Sequence, residues 1–175
     1  MKRVLFWGLG LILVAVAAIA FQLIRETRQH DPAHLMACME VEKPPVSWVC
    51  EQAFFYGNFS EHAIADLNNT AGIRLVAVLS DPAKTEAALV QLLHEGVEID
   101  ARDIRARHMT ALHAAAIEGD ANQIRRLLAH GAKRDIHDDG GRTAADYARE
   151  LQAKNPEQKQ WEKIVQLLES GGNTP

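Results

Sequence analysis

The chain has 175 residues, of which 47% are hydrophobic, 6% aromatic and 24% charged, and its formal net charge at pH 7 is −4. The hydrophobic content excludes a disordered chain, and two cysteines are too few for a small scaffold held together by disulfides. Because 23 acidic residues outnumber 19 basic ones, no basic field is available for phosphates, so we predict no nucleic-acid partner.

A strongly apolar leader opens the chain. The first 24 residues include Lys2 and Arg3, no acidic residue and 19 hydrophobic ones. As a helix, residues 4–24 (VLFWGLGLILVAVAAIAFQLI) would reach about 30 Å, which is the thickness of the hydrocarbon core of a bilayer. We therefore predict a transmembrane signal-anchor over residues 1–24; the alternative is a secretory signal cleaved after Ala18-Ile19-Ala20. The apolar run continues past that site, which favours the anchor.

Both interpretations of the leader export the rest of the chain, because the positive charge before the apolar run keeps the N-terminus in the cytoplasm. The exported residues carry 17 basic and 23 acidic side chains, a net charge of −6. The short leader and the alanine-rich body look bacterial. We therefore expect a single-pass protein of the inner membrane with its C-terminal domain in the periplasm, or a soluble periplasmic protein if the leader is cleaved.

A juxtamembrane linker is predicted for residues 25–47, which are charged and interrupted by prolines. Cys38 and Cys50 flank Pro44-Pro45, a pair that stiffens the chain and favours a turn. In an oxidising compartment a disulfide between the two cysteines would close a short loop; two buried free thiols are the alternative.

From residue 72 to residue 172 the sequence repeats itself. Paired leucines are followed by a glycine, which favours a left-handed helix end, and then by an extended stretch. Other phrases begin helices at a threonine and continue with alanines, which let a neighbouring helix approach closely. The leucine phrases begin at Leu92, Leu127 and Leu167, and the helix starts lie at Thr110 and Thr143.

An N-terminal cap is predicted before these repeats, over residues 48–71. Short helix pairs bury their apolar faces only by stacking on one another, so the ends of the stack have to differ from its middle. Residues 48–71 supply an aromatic cluster, WVCEQAFFYGNF, and a helix that opens on Ser60 as its N-cap.

The combination of phrases resembles the ankyrin repeat. Thr110-x-Leu-His-x-Ala-Ala-x-x-Gly119 followed by Leu127-Leu-x-x-Gly-Ala132 matches one full repeat, and Asp138-x-x-Gly-x-Thr143 matches the next hairpin. The resemblance implies an all-α fold, a short solenoid of about two and a half to three helix-turn-helix repeats with β-hairpin-like loops over residues 72–172. The stretch LVAVLS is a weak first helix in a degenerate first repeat. The structural positions of the pattern are Thr110, His113, Gly119, Gly131, Gly141 and Thr143, and His113 is expected to hydrogen-bond the hairpin.

Members of this family bind partners through hairpin tips and through exposed positions on the first helix of each repeat. Carried over position by position, the resemblance assigns partner binding to Ile104, Arg105, Arg107, His108, Met109, Ile117, Glu118, Asp139, Arg142, Arg149 and Glu150. The tip from Ile104 to Met109 is the strongest candidate, because its hairpin is two residues longer than the next one. Its cationic and apolar side chains protrude from a body of negative net charge.

The resemblance therefore implies a module that binds another protein, either a toxin or an envelope enzyme. Small exported ankyrin proteins of bacteria resemble immunity proteins that neutralise an envelope-acting toxin, or the periplasmic ankyrin protein associated with catalase activity and peroxide resistance. We favour immunity, because a stoichiometric inhibitor needs no catalytic group. The competing class is an enzyme of unrecognised type that would use polar residues of the cap: Glu51, Tyr56, Ser60, Glu61 and His62.

No catalytic residue, metal or cofactor is predicted. His30 and His34 are separated by Pro32 and lack a third ligand nearby, which argues against zinc. The sequence contains no G-x-S-x-G elbow, and Gly140-Gly141 lacks the spacing and the lysine of a phosphate-binding loop.

Overall fold

The computed structural model describes residues 31–70 and 72–170, which divide into two compact units between residues 60 and 61. The described residues form helices and no strand, apart from an isolated antiparallel bridge between Asp103 and Met109. This confirms the predicted all-α fold for that part of the chain. The predicted leader, residues 1–24, lies outside the described residues. Among the helices that are described, none is long and apolar enough to cross a membrane.

The first unit is a pair of helices joined by a disulfide. Helix α1 spans Pro32–Val41 and helix α2 spans Val46–Tyr56, so part of the predicted linker is helical. A disulfide links Cys38 on α1 to Cys50 on α2, with their Cα atoms 6.1 Å apart. The apolar side chains buried in this unit are Leu35, Met36, Met39, Ala53 and Phe54. Covalent linkage and this small core together hold α1 against α2.

The second unit stacks three helical pairs behind an additional helix. In chain order its elements are α3 (Glu61–Thr70), a 3₁₀ helix (Gly72–Val78), α4 (Pro82–His94), α5 (Ala111–Glu118), α6 (Ala121–Ala129), α7 (Ala144–Lys154) and α8 (Lys159–Glu169). The 3₁₀ helix pairs with α4, α5 with α6, and α7 with α8. Helix α5 also packs against the 3₁₀ helix on one side and α7 on the other, while α6 packs against α8. The pairs therefore form a continuous stack.

The first element of the first pair differs from the weak α-helix expected from LVAVLS. Gly72–Val78 is a 3₁₀ helix, and Gly72 enters it with a φ of +52°. Its sequence, GIRLVAV, has β-branched residues at three of seven positions. Such residues lower the propensity of a short segment to form an α-helix. Ile73 and Val76 nevertheless are fully buried, so the 3₁₀ helix still contributes to the core.

Small residues set the spacing of the stack. Residues 111–116 of α5 (ALHAAA) are all buried, because both neighbouring pairs pack against this helix. Alanine fits such a position because its methyl group allows close approach of helices on more than one side. Larger side chains with no exposed surface lie on the second helix of each pair, α4, α6 and α8: Leu89, Leu92, Ile124, Leu127 and Ile164.

Helix α3 fixes the first hairpin to the stack. The side-chain oxygen of Asn68 accepts a hydrogen bond from the backbone N–H of Glu98 at 2.8 Å. The carbonyl of Asn69 accepts one from the N–H of Ile104 at 3.0 Å. Both partners lie in the chain between α4 and α5, so the end of α3 positions the base of that connection.

Both helices of the middle pair end on glycines in the left-handed conformation. Gly119 has a φ of +76° after α5, and Gly131 has a φ of +86° after α6. A Cβ atom built on Gly119 would lie 3.1 Å from Cη2 of Trp161, whereas one on Gly131 would meet no described atom within 4 Å. Glycine is required at both positions by conformation, and at Gly119 also by the close approach of the third pair.

We predict that Gly131→Ala lowers the free energy of unfolding by about 1 kcal/mol, through left-handed strain alone. Gly119→Ala should cost about 2 to 3 kcal/mol, since its methyl group also displaces the Trp161 ring. Urea titrations followed by circular dichroism measure both. Equal costs for the two substitutions would show that the contact with Trp161 does not limit the residue at position 119.

The disulfide should stabilise the first unit against local opening. Closing a loop of this size is worth about 3 kcal/mol, so Cys38→Ser combined with Cys50→Ser should accelerate amide hydrogen exchange in α1 and α2 by roughly 100-fold. Reduction of the native protein should produce the same change. Unaltered protection in the double variant would mean that the small core alone holds the two helices together.

Candidate functional site

The connection between α4 and α5 forms the long hairpin, residues 101–110. Its two sides meet where the N–H of Asp103 donates to the carbonyl of Met109 at 3.0 Å. At the tip, Arg107 and His108 have φ values of 56° and 54°. Each residue costs about 1 kcal/mol in this left-handed region, because its Cβ crowds the backbone. The tip of the long hairpin therefore contains two strained residues that their surroundings hold in place.

The tip is held by the following hairpin. The carbonyl of Arg107 accepts a hydrogen bond from the N–H of Asp139 at 3.0 Å. Nδ1 of His108 lies 2.9 Å from both carboxylate oxygens of Asp139. Arg102 adds a further link, because Nη2 donates to the carbonyl of His137 at 2.7 Å. These contacts fix the direction in which the long hairpin projects.

A cleft of about 190 Å³ lies beside the long hairpin, between the 3₁₀ helix and α5. It is lined by Arg74, Asp103, Ala106, Met109, Thr110, Ala111, Ala114, Ile117 and Glu118. Nη2 of Arg74 and Oε1 of Glu118 form an ion pair at 2.6 Å, and their side chains are 51% and 44% exposed. Ile117 is 38% exposed. The cleft thus combines apolar groups with an ion pair that solvent reaches.

The structure brings three predicted contact residues, Met109, Ile117 and Glu118, to this cleft. Ile104 and Arg105 are exposed at the hairpin tip, and the side chain of Ile104 is 57% accessible. The other residues of the lining were not predicted to contact a partner: Arg74, Asp103, Ala106, Thr110, Ala111 and Ala114. Arg74 gave no signal because it belongs to the degenerate first repeat, where no motif position could be assigned.

The predicted contact residues on the next hairpin and on α7 pair within the chain. Nη1 of Arg142 lies 3.1 Å from Oε2 of Glu150. Arg149 contacts two carboxylates, Asp146 at 2.6 Å and Glu169 at 2.7 Å. Such exposed pairs contribute little stability, yet they neutralise much of the charge that the resemblance offered to a partner. This surface is consequently less available for ionic contacts than the sequence suggests.

The carboxylate of Asp138 organises the second hairpin from inside. Its side chain is 0% exposed, and Oδ1 accepts hydrogen bonds from the N–H groups of Gly140 (2.8 Å) and Arg142 (2.9 Å). Oδ2 accepts from the hydroxyl of Tyr147 at 2.6 Å. The tyrosine hydroxyl, together with the backbone donors, lowers the pKa of Asp138 from 3.8 to about 2. The Arg142 guanidinium stacks over the Tyr147 ring, 4.0 Å from its centroid, and completes the cluster.

His113 links the middle pair to the same hairpin. The backbone N–H of Thr110 donates to Nδ1 of His113 at 3.2 Å, so Nε2 carries the proton that is donated to the carbonyl of Arg142 at 3.1 Å. Burial lowers the pKa of His113, which keeps the ring neutral and this tautomer in place. The role expected from the resemblance thus corresponds to a contact between α5 and the second hairpin.

Side chains of the types that bind metals are scattered over the described chain. Within residues 31–70 and 72–170, no three His, Cys, Asp or Glu side chains are grouped so as to hold a metal. The polar residues considered for an unrecognised enzyme are divided between the two units: Glu51, Tyr56 and Ser60 in the first, Glu61 and His62 in the second.

Comparison with known proteins identifies the repeating part of the chain. A family model described as ankyrin repeats, with three copies, matches residues 76–171, which is more than half of the 175 residues. The matched region begins within the 3₁₀ helix and includes all of α4 to α8. It therefore contains the long hairpin and most of the cleft lining. No curated protein matches the chain.

The buried carboxylate gives a prediction about acid stability. Because the pKa of Asp138 is lowered from 3.8 to about 2 in the folded protein, its contribution is complete above about pH 5 and is lost as the pH falls towards 2. That loss amounts to about 2 kcal/mol of unfolding free energy. We expect Asp138→Asn to reduce stability at neutral pH and to flatten this part of the acid limb, as measured by urea unfolding at a series of pH values.

Asp135→Asn is the matched control, since Asp135 is an exposed carboxylate three residues before Asp138 in the same connection between α6 and α7. It should leave the acid limb close to that of the native protein. If both variants flatten the limb equally, the acid sensitivity belongs to the hairpin as a whole and the buried carboxylate is not its source.

Proposed function

The chain belongs to the ankyrin-repeat family, and on that premise we propose that it is a protein-binding module whose partner docks in the cleft beside the long hairpin. The observation that carries this proposal is the composition of the cleft. Apolar side chains of Met109 and Ile117 lie next to a half-exposed ion pair between Arg74 and Glu118. Buried apolar anchors surrounded by arginine and other polar groups are typical of the sites that dominate protein–protein affinity.

The size of the cleft favours a protein partner over a small metabolite. A pocket for a drug-sized ligand usually encloses about 300 Å³ or more. The cleft encloses about 190 Å³, which suits one large side chain inserted from a partner surface. The alanines on its walls leave the room for that side chain, since Ala111 and Ala114 project only methyl groups into it.

The fixed hairpin tip supports the same proposal. Arg107 and His108 adopt strained conformations that are held by contacts with Asp139. A loop already ordered in this way loses little conformational entropy when a partner binds. The exposed side chains of Ile104 and Arg105 extend the proposed contact surface beyond the cleft.

We further propose that residues 4–24 hold the module at the inner membrane with its body in the periplasm. The length and apolar character of that stretch support the anchor, although a cleaved signal would deliver the same body to the same compartment. The disulfide between Cys38 and Cys50 supports export, because such bonds persist in oxidising compartments and are rare in the cytosol.

Within this class we propose an immunity protein that binds and neutralises a toxin acting in the cell envelope. A stoichiometric inhibitor needs one binding surface and no catalytic group, which is what the cleft and hairpin offer. A module that supports catalase activity and peroxide resistance is the alternative. A toxin gene beside the coding gene would favour the first function, and a catalase gene would favour the second.

A matched pair of substitutions tests the proposed surface. Ile117→Glu places a charge in the cleft, and Val90→Glu makes the same kind of change on α4, outside the cleft lining. Ile117→Glu should reduce affinity at least roughly tenfold, because burying an unpaired carboxylate costs more than 1.4 kcal/mol. Val90→Glu should bind as the native protein does. The measurement is quantitative recovery of the partner on tagged full-length protein from solubilised membranes.

Protection of cells provides the functional arm of this test. When the neighbouring toxin is expressed with an export signal, the native protein and Val90→Glu should preserve growth, and Ile117→Glu should not. Full protection by Ile117→Glu, at matched protein levels, would place the binding surface elsewhere. If the native protein neither binds the toxin nor protects the cells, the immunity function itself is contradicted.

A further inference from the structure

Helix α2 is apolar on both of its sides, although only one side is covered by the first unit. Its sequence, VSWVCEQAFFY, contains a single charged residue, Glu51. Ala53 and Phe54 are buried in the unit. Trp48 and Tyr56 lie on another side of the helix, eight residues or about two turns apart, and they are 60% and 77% exposed.

The exposed side of α2 carries three large hydrophobic side chains, which we call the aromatic face and define as Trp48, Val49 and Tyr56. Val49 is 37% exposed and lies seven residues before Tyr56, so the two share the same stripe of the helix. Two further valines, Val41 and Val46, are also exposed at the ends of the two helices where they are connected. A helix that is hydrophobic all round is normally covered on all sides.

Such exposure is concentrated in the first unit. Nine large hydrophobic side chains are exposed in the part of the chain that the structure describes, and five of them belong to residues 31–60. Two of the other four, Ile104 and Ile117, belong to the proposed partner surface, and Val78 and Val90 lie on the 3₁₀ helix and on α4. The aromatic face is therefore a second, separate surface that the proposed function does not use.

The position of the aromatic face in the chain indicates what covers it. The apolar run of the leader ends at residue 24, and only residues 25–30 separate it from the start of the first unit. Six residues span at most about 20 Å, even when fully extended. If residues 4–24 cross a bilayer, the first unit stays within that distance of the membrane surface.

The side chains of the face suit that location. Tryptophan and tyrosine concentrate at the lipid–water interface, where the ring meets apolar chains and the polar atom meets water. Gln52, which lies between Trp48 and Tyr56 along the helix, is uncharged, and no lysine or arginine occurs in α2. Binding would therefore come from apolar area and not from attraction to anionic headgroups.

We propose that the aromatic face lies in the lipid–water interface of a zwitterionic bilayer, so that α2 rests along the membrane surface. This inference depends on the anchored form of the proposed function. Insertion of α2 into the interface fixes the first unit on the bilayer beside the anchor.

The test uses the full-length protein reconstituted into phosphatidylcholine vesicles, with and without lipids brominated near the headgroup end of the acyl chains. Bromine quenches tryptophan emission only at short range. The contribution of Trp48 is obtained as the difference between the native protein and Trp48→Phe, and that of Trp7 in the leader from Trp7→Phe. Trp161, which is buried in the second unit, serves as the internal control.

We expect brominated lipid to reduce the Trp48 emission roughly twofold, while the Trp161 emission stays unchanged. Quenching of Trp7 without quenching of Trp48 would leave the anchor in place and overturn the interfacial location of α2. If neither is quenched, both the anchor and the interfacial helix are refuted. Protection of Trp48 from acrylamide without quenching by brominated lipid would mean that a protein surface covers the face, which also overturns the proposal.

A second pair of variants separates surface contact from folding. Trp48→Ser combined with Tyr56→Ser should weaken vesicle protection of the α2 amides against hydrogen exchange, and Val90→Ser, a matched change in the second unit, should not. The exposed positions of Trp48 and Tyr56 mean that these changes remove little buried surface, so α2 should remain folded in both variants. Equal vesicle protection in the native protein and the double variant would contradict the proposal.

Discussion

The buried carboxylate of Asp138 is the interaction on which the binding surface depends. It closes the second hairpin through two backbone N–H groups and fixes that hairpin to α7 through the hydroxyl of Tyr147. The second hairpin in turn supports the tip of the first, because the N–H of Asp139 donates to the carbonyl of Arg107. A carboxylate hidden from water needs these donors, because each donor that is lost leaves part of its hydrogen-bonding capacity unsatisfied. The direction of the long hairpin, and with it one wall of the cleft, follows from that requirement.

Neutral histidine performs the corresponding task between the helices. His113 accepts from the start of its own helix and donates to the carbonyl of Arg142, so one ring satisfies polar groups of two successive repeats. A protonated ring would lose the lone pair at Nδ1 that accepts a hydrogen bond from the backbone N–H of Thr110. Burial therefore has a structural purpose here, because it keeps the tautomer that joins the repeats. The ionic cluster of Asp138 and the neutral one of His113 together align the hairpins with the helices.

The helices of the second unit could be predicted wherever a capping residue or a left-handed glycine marks their ends. Thr110, Gly119 and Gly131 mark helix boundaries because capping and left-handed turns restrict which residues fit. The 3₁₀ helix and the place of Arg74 in the cleft lining could not be predicted, since that segment lacks both kinds of boundary residue. Of the surface residues, the sequence indicated Met109 and Ile117 through their motif positions, but it could not reveal that Arg142 and Arg149 find carboxylates within the chain. Such pairing depends on the distance between hairpin and helix, which no local pattern records.

Helix α5 occupies the middle of the shortest stack in which a repeat can have two neighbours. All of residues 111–116 are buried, and the 3₁₀ helix and α7 supply the two covering surfaces. In longer solenoids the terminal repeats can open while an interior remains folded. In the described stack, the loss of either terminal pair uncovers one side of the middle pair. The second unit should consequently open as one cooperative body, so that its partner meets either a complete cleft or an unfolded chain, with no partly assembled surface between them.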